Sequence, residues 1–391
     1  MNIAFFCIPA HGHTNPTLAV VRELTARGHT VRYYTTEAFR AKVEAAGAVF
    51  VPFDAEAARP GMTAADGARL GSDLAFSTKL IVDLTLAADD WLSRELTAHR
   101  PDVIVGDSMA FWAKLAAKKH GIPFVSSTTT FAFNRFSAKV IGQNGAGFLQ
   151  FLLAQPRINR QLKRLRAAGY AVKSVFDIIA NDNETETVVY TSPDFQPCAD
   201  TFSEKYHFVG PLLRPAQSSF EKLPGRSLIY ISLGTVNNDA LPFYRACLAA
   251  FGGDPRFQLV LSAGTQAGLA AFGPIPESCT VRASVDQMAV LDCADVFLTH
   301  CGMNSASEGL WHGLPLVLYP QTPEQHGVAN RVAALGAGVP LTDPSADGIR
   351  RAVETALTDP SYRENAQKLA GGFRRCGGAA EAADAIEHAA N

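Results

Sequence analysis

The sequence predicts an α/β protein built from two parallel-sheet domains. Short apolar strands alternate with amphipathic helices from Ile3 onward, the rhythm breaks in a stretch rich in Pro, Gly and Ser, and it restarts at Leu228. Alternation of this kind builds βαβ units, in which a buried strand feeds a helix and the next strand returns parallel. At 391 residues the chain is long enough for two such domains.

Each element follows from its local pattern. Ile3–Ile8 is a continuous apolar run, as a strand buried on both faces requires. Leu18, Val21, Leu24 and Thr25 then sit at helical spacing, and Arg27-Gly28 suits a helix end. Val31–Thr35 is the next strand, and Val103–Gly106, Phe124–Ser127 and Val188–Tyr190 continue the series through a first domain of residues 1–210. Residues 211–226 lack periodicity and read as a linker. A second domain, residues 227–370, carries strands at Leu228–Leu233, Gln258–Leu261, Val296–Leu298 and Leu316–Leu318. Residues 371–391 contain the alanine-rich run Ala379–Ile386, a terminal helix.

Composition narrows the function. Hydrophobic residues make up 47% of the chain, enough for two cores, and a net charge of −2 without a long basic run argues against nucleic acid. The seven cysteines form neither a disulfide framework nor a Cys-x-x-Cys site. A reduced, cytoplasmic setting is expected, and no apolar run approaches the roughly 20 residues of a membrane span.

The most informative stretch is His300-Cys301-Gly302-Met303-Asn304-Ser305-Ala306-Ser307-Glu308. It follows an apolar strand, turns at a glycine and opens a helix at Asn304 and Ser305. Such an element presents backbone N–H groups and a positive dipole end, which bind a diphosphate without a lysine. Asn304 and Glu308 lie four apart on one face, so the carboxylate can take two ribose hydroxyls. After the next strand, Glu324 and Gln325 on a loop offer acceptors and amide donors to a hexose.

Together these two clusters resemble the donor segment of the inverting nucleotide-sugar glycosyltransferases of family 1, closest to their bacterial macrolide-glycosyltransferase-like branch. The similarity runs from Ile3 to the C-terminal helix. It implies the GT-B fold, two facing Rossmann-like domains whose last helix crosses back to the first. It also implies that Ser232-Leu233-Gly234-Thr235 is a diphosphate loop, with His300 and Thr235 bonding the departing group. Val285 and Gln287 match the family's nucleobase run, but Ser284 and Asp286 replace an aromatic or arginine residue and a proline. Those two departures put the choice between uridine and thymidine diphosphate donors in question.

The acceptor side belongs to the first domain. In an open parallel sheet, ligands bind outside the carboxyl ends of the strands, where the loop Pro9–Pro16 falls. A histidine there can take a proton from a hydroxyl. The family's Gly-His-x-x-Pro pattern is matched by Gly12–Pro16 and selects His13 over His11. Asp107, at another strand end, matches the aspartate that orients this base; its competing role is an N-cap for a helix near Ser108. Phe111, Trp112, Phe131, Phe133 and Phe136 are candidates for an apolar acceptor pocket.

The expectation is an inverting, metal-independent hexosyltransferase moving glucose from UDP-glucose to a flavonoid, other phenol, macrolide or steroid hydroxyl. Neither cofactor nor metal is implied, since no Asp-x-Asp motif is present. Partners are the nucleotide-sugar donor and a lipophilic acceptor, with the protein a monomer or weak dimer. Rival readings are a dTDP-sugar-dependent transferase, a nucleotide-sugar epimerase and a non-catalytic binding protein.

Overall fold

The computed structural model describes residues 1–53, 73–137, 147–181, 183–234, 239–264 and 268–391. The chain divides into two compact units. The first comprises Met1–Tyr190, Cys198–Leu212 and Gly377–Asn391; the second comprises Thr191–Pro197 and Leu213–Cys376.

The first unit holds a seven-stranded sheet of order β3-β2-β1-β4-β5-β6-β7. Its strands are β1 Asn2–Phe6, β2 Thr30–Thr35, β3 Val49–Pro52, β4 Val103–Asp107, β5 Phe124–Thr128, β6 Glu186–Val189 and β7 Tyr206–Phe208. All pair in parallel. On one face, Ile3, Phe5, Val103 and Val105 pack with Val20, Val21 and Leu24 of the His11–Ala26 helix. The terminal helix Gly378–Ala390 adds Ala382, Ala383, Ala385 and Ile386 to that core.

The second unit holds a six-stranded parallel sheet of order β10-β9-β8-β11-β12-β13. Its strands are β8 Ser227–Ser232, β9 Phe257–Ser262, β10 Cys279–Arg282, β11 Val296–Thr299, β12 Leu316–Leu318 and β13 Gly338–Pro340. Both sheets are of the Rossmann-like kind that the sequence predicts.

In each sheet the strand order reverses at one place: between β1 and β4 in the first, and between β8 and β11 in the second. Loops leaving the carboxyl ends on either side of such a switch point diverge and leave room for a ligand. His13 and Asp107 lie at the first of these places, and Gly234 and His300 at the second.

Two boundaries differ from the sequence reading. Residues 371–391 are not one element: the helix Pro360–Arg374 ends in the second unit, and only Gly377–Asn391 joins the first. Thr191–Pro197, expected within the first domain, belongs to the second. Phe195 is fully buried there, edge-on to Phe373 with ring centres 5.7 Å apart. Arg331 donates to the carbonyls of Phe195 and Asp194, each at 2.9 Å. Among the described residues, no helix is long and apolar enough to cross a membrane.

Candidate active site

Helix His11–Ala26 starts directly after β1, so His13 lies in its first turn rather than on a loop. Gly12 and Pro16 suggest a loop in the sequence, yet Pro16 removes only the one helical bond that its missing N–H would give to Gly12. His13 Nδ1 stands 2.7 Å from Asp107 Oδ2 and 3.0 Å from Thr129 Oγ1. The Asp107 side chain has 0% exposure and that of His13 has 17%. The other Asp107 oxygen accepts the Met109 N–H at 2.9 Å. Asp107 therefore does not cap the following helix, Phe111–His120, whose N-cap is Ala110. A buried carboxylate at Nδ1 holds the proton on that nitrogen and makes Nε2 the basic one. His11 lies edge-on to Phe39 with ring centres 5.0 Å apart. Burial, then the charge of Lys42, lowers its pKa.

The five aromatic candidates divide. Trp112 is only 6% exposed and Phe131 3%, so both serve the core. Trp112 packs against Phe53 with ring centres 5.9 Å apart, because the helix buries that face against the sheet. Phe111 is half-buried and lines a cavity with Asp107, Ser126 and Ile179. Phe133 and Phe136 are exposed. Met109, Phe176 and Ile179 are also exposed apolar residues of this unit, and the sequence reading missed them. Only Met109, two residues beyond Asp107, carried a sequence clue. Phe111 and Ile179 share the cavity with Asp107, and apolar side chains beside a buried acid suit a lipophilic ligand.

In the second unit, His300 follows β11 and Gly234 follows β8, on adjacent strands paired through Thr299 and Ser232. A Cβ on Gly234 would lie 2.7 Å from the His300 ring, and one on Gly302 would lie 2.6 Å from Nε2. The imidazole thus nests between two glycines. The left-handed turn is made by Cys301, with φ of 64°, and not by Gly302 as the sequence suggested. Gly302 supplies clearance instead of conformational freedom. Burial, opposed by a hydrogen bond with the Ser232 backbone, pushes the His300 pKa down to about 4. The ring is neutral near pH 7, and its buried Nδ1 has no hydrogen-bond partner among the described residues. Helix Met303–Trp311 begins beside it at Gly302 with no side-chain cap. An uncapped helix start next to a buried, unpartnered ring nitrogen is suited to an anion. Asn304 and Ser305 fall within this helix's first turn; Thr235 lies outside the described residues.

Glu308 and Gln287 meet directly. The Gln287 amide donates to Glu308 Oε2, and its oxygen accepts the Tyr230 hydroxyl at 2.9 Å. Burial raises the Glu308 pKa, while Gln287 and the charge of Arg214 oppose it. Val285 is half-buried and Ser284 exposed. Glu324 and Gln325 occupy the first turn of helix Pro323–Ala334, which corrects their expected place on a loop. Thr322-Pro323 starts that helix, and Gln325 closes a capping box by accepting the N–H groups of Gln321 at 2.8 Å and Thr322 at 3.2 Å. Its oxygen is engaged, so only its amide N–H groups can serve a ligand. Among the described residues, no group of three or more His, Cys, Asp or Glu is placed to hold a metal.

Comparison with known proteins supplies the class. The chain belongs to the family 1 nucleotide-sugar glycosyltransferases, and the profile described as UDP-glucoronosyl and UDP-glucosyl transferase matches residues 283–372. Within that class it sits with bacterial macrolide and natural-product enzymes. It is 33% identical to NDP-glycosyltransferase YjiC of Bacillus licheniformis over 99% of this chain and 97% of that one. It is 34% identical to demethyllactenocin mycarosyltransferase of Streptomyces fradiae over 99% and 86%. The crystal structure of the glycotransferase of kitacinnamycin matches with a TM-score of 0.86 at 30% identity, covering 99% and 98% of the two chains. The protein is a glycosyltransferase of the natural-product type that uses a nucleoside-diphosphate sugar.

Proposed function

We propose that the protein is an inverting O-glycosyltransferase, with UDP-glucose as donor and a hydroxyl of a lipophilic or aromatic small molecule as acceptor. The contact of His13 with buried Asp107 carries this reading. His13 Nε2 removes the acceptor proton, and Asp107 stabilises the imidazolium that forms. The oxygen attacks the anomeric carbon on the face opposite the nucleotide, the bond to the diphosphate breaks, and an α-linked donor gives a β-glycoside.

On the donor side, Glu308 takes the ribose hydroxyls, and Val285 and Gln287 address the base. His300, Gly302, Asn304, Ser305 and Thr235 receive the diphosphate, whose growing negative charge meets a helix N-terminus. Glu324 and Gln325 hold the hexose hydroxyls. This chemistry needs no metal. The exposed apolar side chains Met109, Phe133, Phe136 and Phe176 support a flat or lipophilic acceptor.

Mass spectrometry of the protein with UDP-glucose, chelator and a panel of phenols, macrolides and steroids tests this reading. A product heavier by one hexose, lost in His13→Ala, is the expected result. Failure with UDP-glucose but transfer from thymidine-linked sugars would support the second reading, which the departures at Ser284 and Asp286 raise. No product from either donor would overturn both.

A further inference from the structure

Asp286 has a role that neither the dyad nor the diphosphate loop explains. Its Oδ2 accepts the N–H of Gln217 at 2.6 Å, the N–H of Ser218 at 2.9 Å and the Ser218 hydroxyl at 3.2 Å. Its Oδ1 is buried without a hydrogen bond, and the Arg214 guanidinium stands 3.5 Å away. One oxygen therefore fixes the backbone of the segment after β7, and the other faces the cation that this segment carries.

The neighbouring residue, Gln287, holds Glu308 on one side and Tyr230 on the other. The positive charge of Arg214 acts on both Glu308 and Tyr230. Arg214 is therefore close to the group read above as the ribose acceptor. Its side chain is 43% exposed, so part of the guanidinium is open to a ligand. Ser284, the exposed residue two before Asp286, offers no ring there. A guanidinium plane can take the place of an aromatic ring against a flat heterocycle.

We propose that Arg214, set in place by Asp286, is a specificity-determining residue whose guanidinium packs against the pyrimidine ring of the nucleoside diphosphate. This rests on the reading of Gln287 and Glu308 as the nucleoside end of the donor site. Asp286 acts through Arg214 and is a positioning residue.

Calorimetric titration of UDP into the wild type, Arg214→Ala, Arg214→Lys, Asp286→Asn and Glu308→Gln separates the possibilities, with thermal melts confirming that each variant is folded. Arg214→Ala should weaken UDP binding about ten-fold, as expected for the loss of planar stacking on the base. Arg214→Lys should be equally weak, because an ammonium keeps the charge and loses the plane. Asp286→Asn should fall between wild type and Arg214→Ala. Full rescue by Lys would make Arg214 a point charge and overturn the proposal, as would an unchanged Arg214→Ala. Wild-type affinity in Asp286→Asn would remove its positioning role. If Glu308→Gln binds UDP as well as wild type does, the nucleoside site itself is misassigned, a failure distinct from that of Arg214.

Discussion

His13 Nδ1 and Asp107 Oδ2 lie 2.7 Å apart although 94 positions separate them in the chain. The sheet brings them together: one follows β1, the other ends β4, and these strands are neighbours where the strand order reverses. His300 and Gly234 repeat the arrangement across β11 and β8 in the second unit.

Removing the proposed base should suppress transfer and spare nucleotide binding. His13→Ala is expected to lower kcat by about 10²–10⁴, and Asp107→Asn should also lower it, because an amide neither holds the Nδ1 proton nor stabilises the imidazolium. Rates by product mass spectrometry, paired with UDP titrations, check both. A His13→Ala enzyme turning over at the wild-type rate would exclude His13 as the base.

His300 should give the second unit an acid-sensitive stability. Its pKa falls from 6.5 to about 4 on folding, so between these values the unfolded chain binds more protons than the folded one. Stability then rises with pH across this window and is lost as pH falls through it, by about 3 kcal/mol in all. Denaturant midpoints at pH 4 to 7 should show that dependence, and His300→Gln should flatten it.

Glu308 has the opposite sign. Its raised pKa means that the folded state holds the proton more tightly above 4.5, so its contribution to stability declines as pH rises. At neutral pH the buried charge is a cost that function retains. Glu308→Gln should melt above the wild type at pH 7 while binding UDP about 10- to 100-fold less well, as the loss of a charge-assisted hydrogen bond predicts. A variant that both melts lower and binds normally would contradict this assignment.

At Gln325, the helix cap can be separated from the proposed sugar contact. Gln325→Glu keeps a carboxyl oxygen for the N–H groups of Gln321 and Thr322 but has no amide donor. It should melt like the wild type with a raised KM for the sugar donor. Gln325→Ala should in addition lose about 1 kcal/mol of stability.

The central strands were legible because two-sided burial demands unbroken apolar runs, as in Ile3–Ile8 and Leu228–Leu233. The strands the sequence did not reveal are β3, β7, β10 and β13, which form the edges of the two sheets. An edge strand pairs on one side only, so three or four residues with exposed members such as Val49 suffice. The residue types at His13, Asp107, His300 and Glu308 were legible for their chemistry, but their local geometry was not. Gly12 and Pro16 concealed a helix start, and the clearance at Gly302 depends on where the His300 ring points. The attachment of Asp286 was invisible because its partners are backbone amides 68 and 69 positions away.

The terminal helix has a consequence for inheritance. Its Ala382, Ala383, Ala385 and Ile386 are part of the first unit's core, and Arg27 pairs with its Asp384 at 2.6 Å and Glu387 at 3.0 Å. A recombinant joining the front half of one relative to the back half of another would give the first unit a foreign helix in its own interior. A workable crossover must carry Gly377–Asn391 with the front half and Thr191–Pro197 with the back half. The segments that encode Met1–Tyr190, Cys198–Leu212 and Gly377–Asn391 are therefore constrained to evolve together.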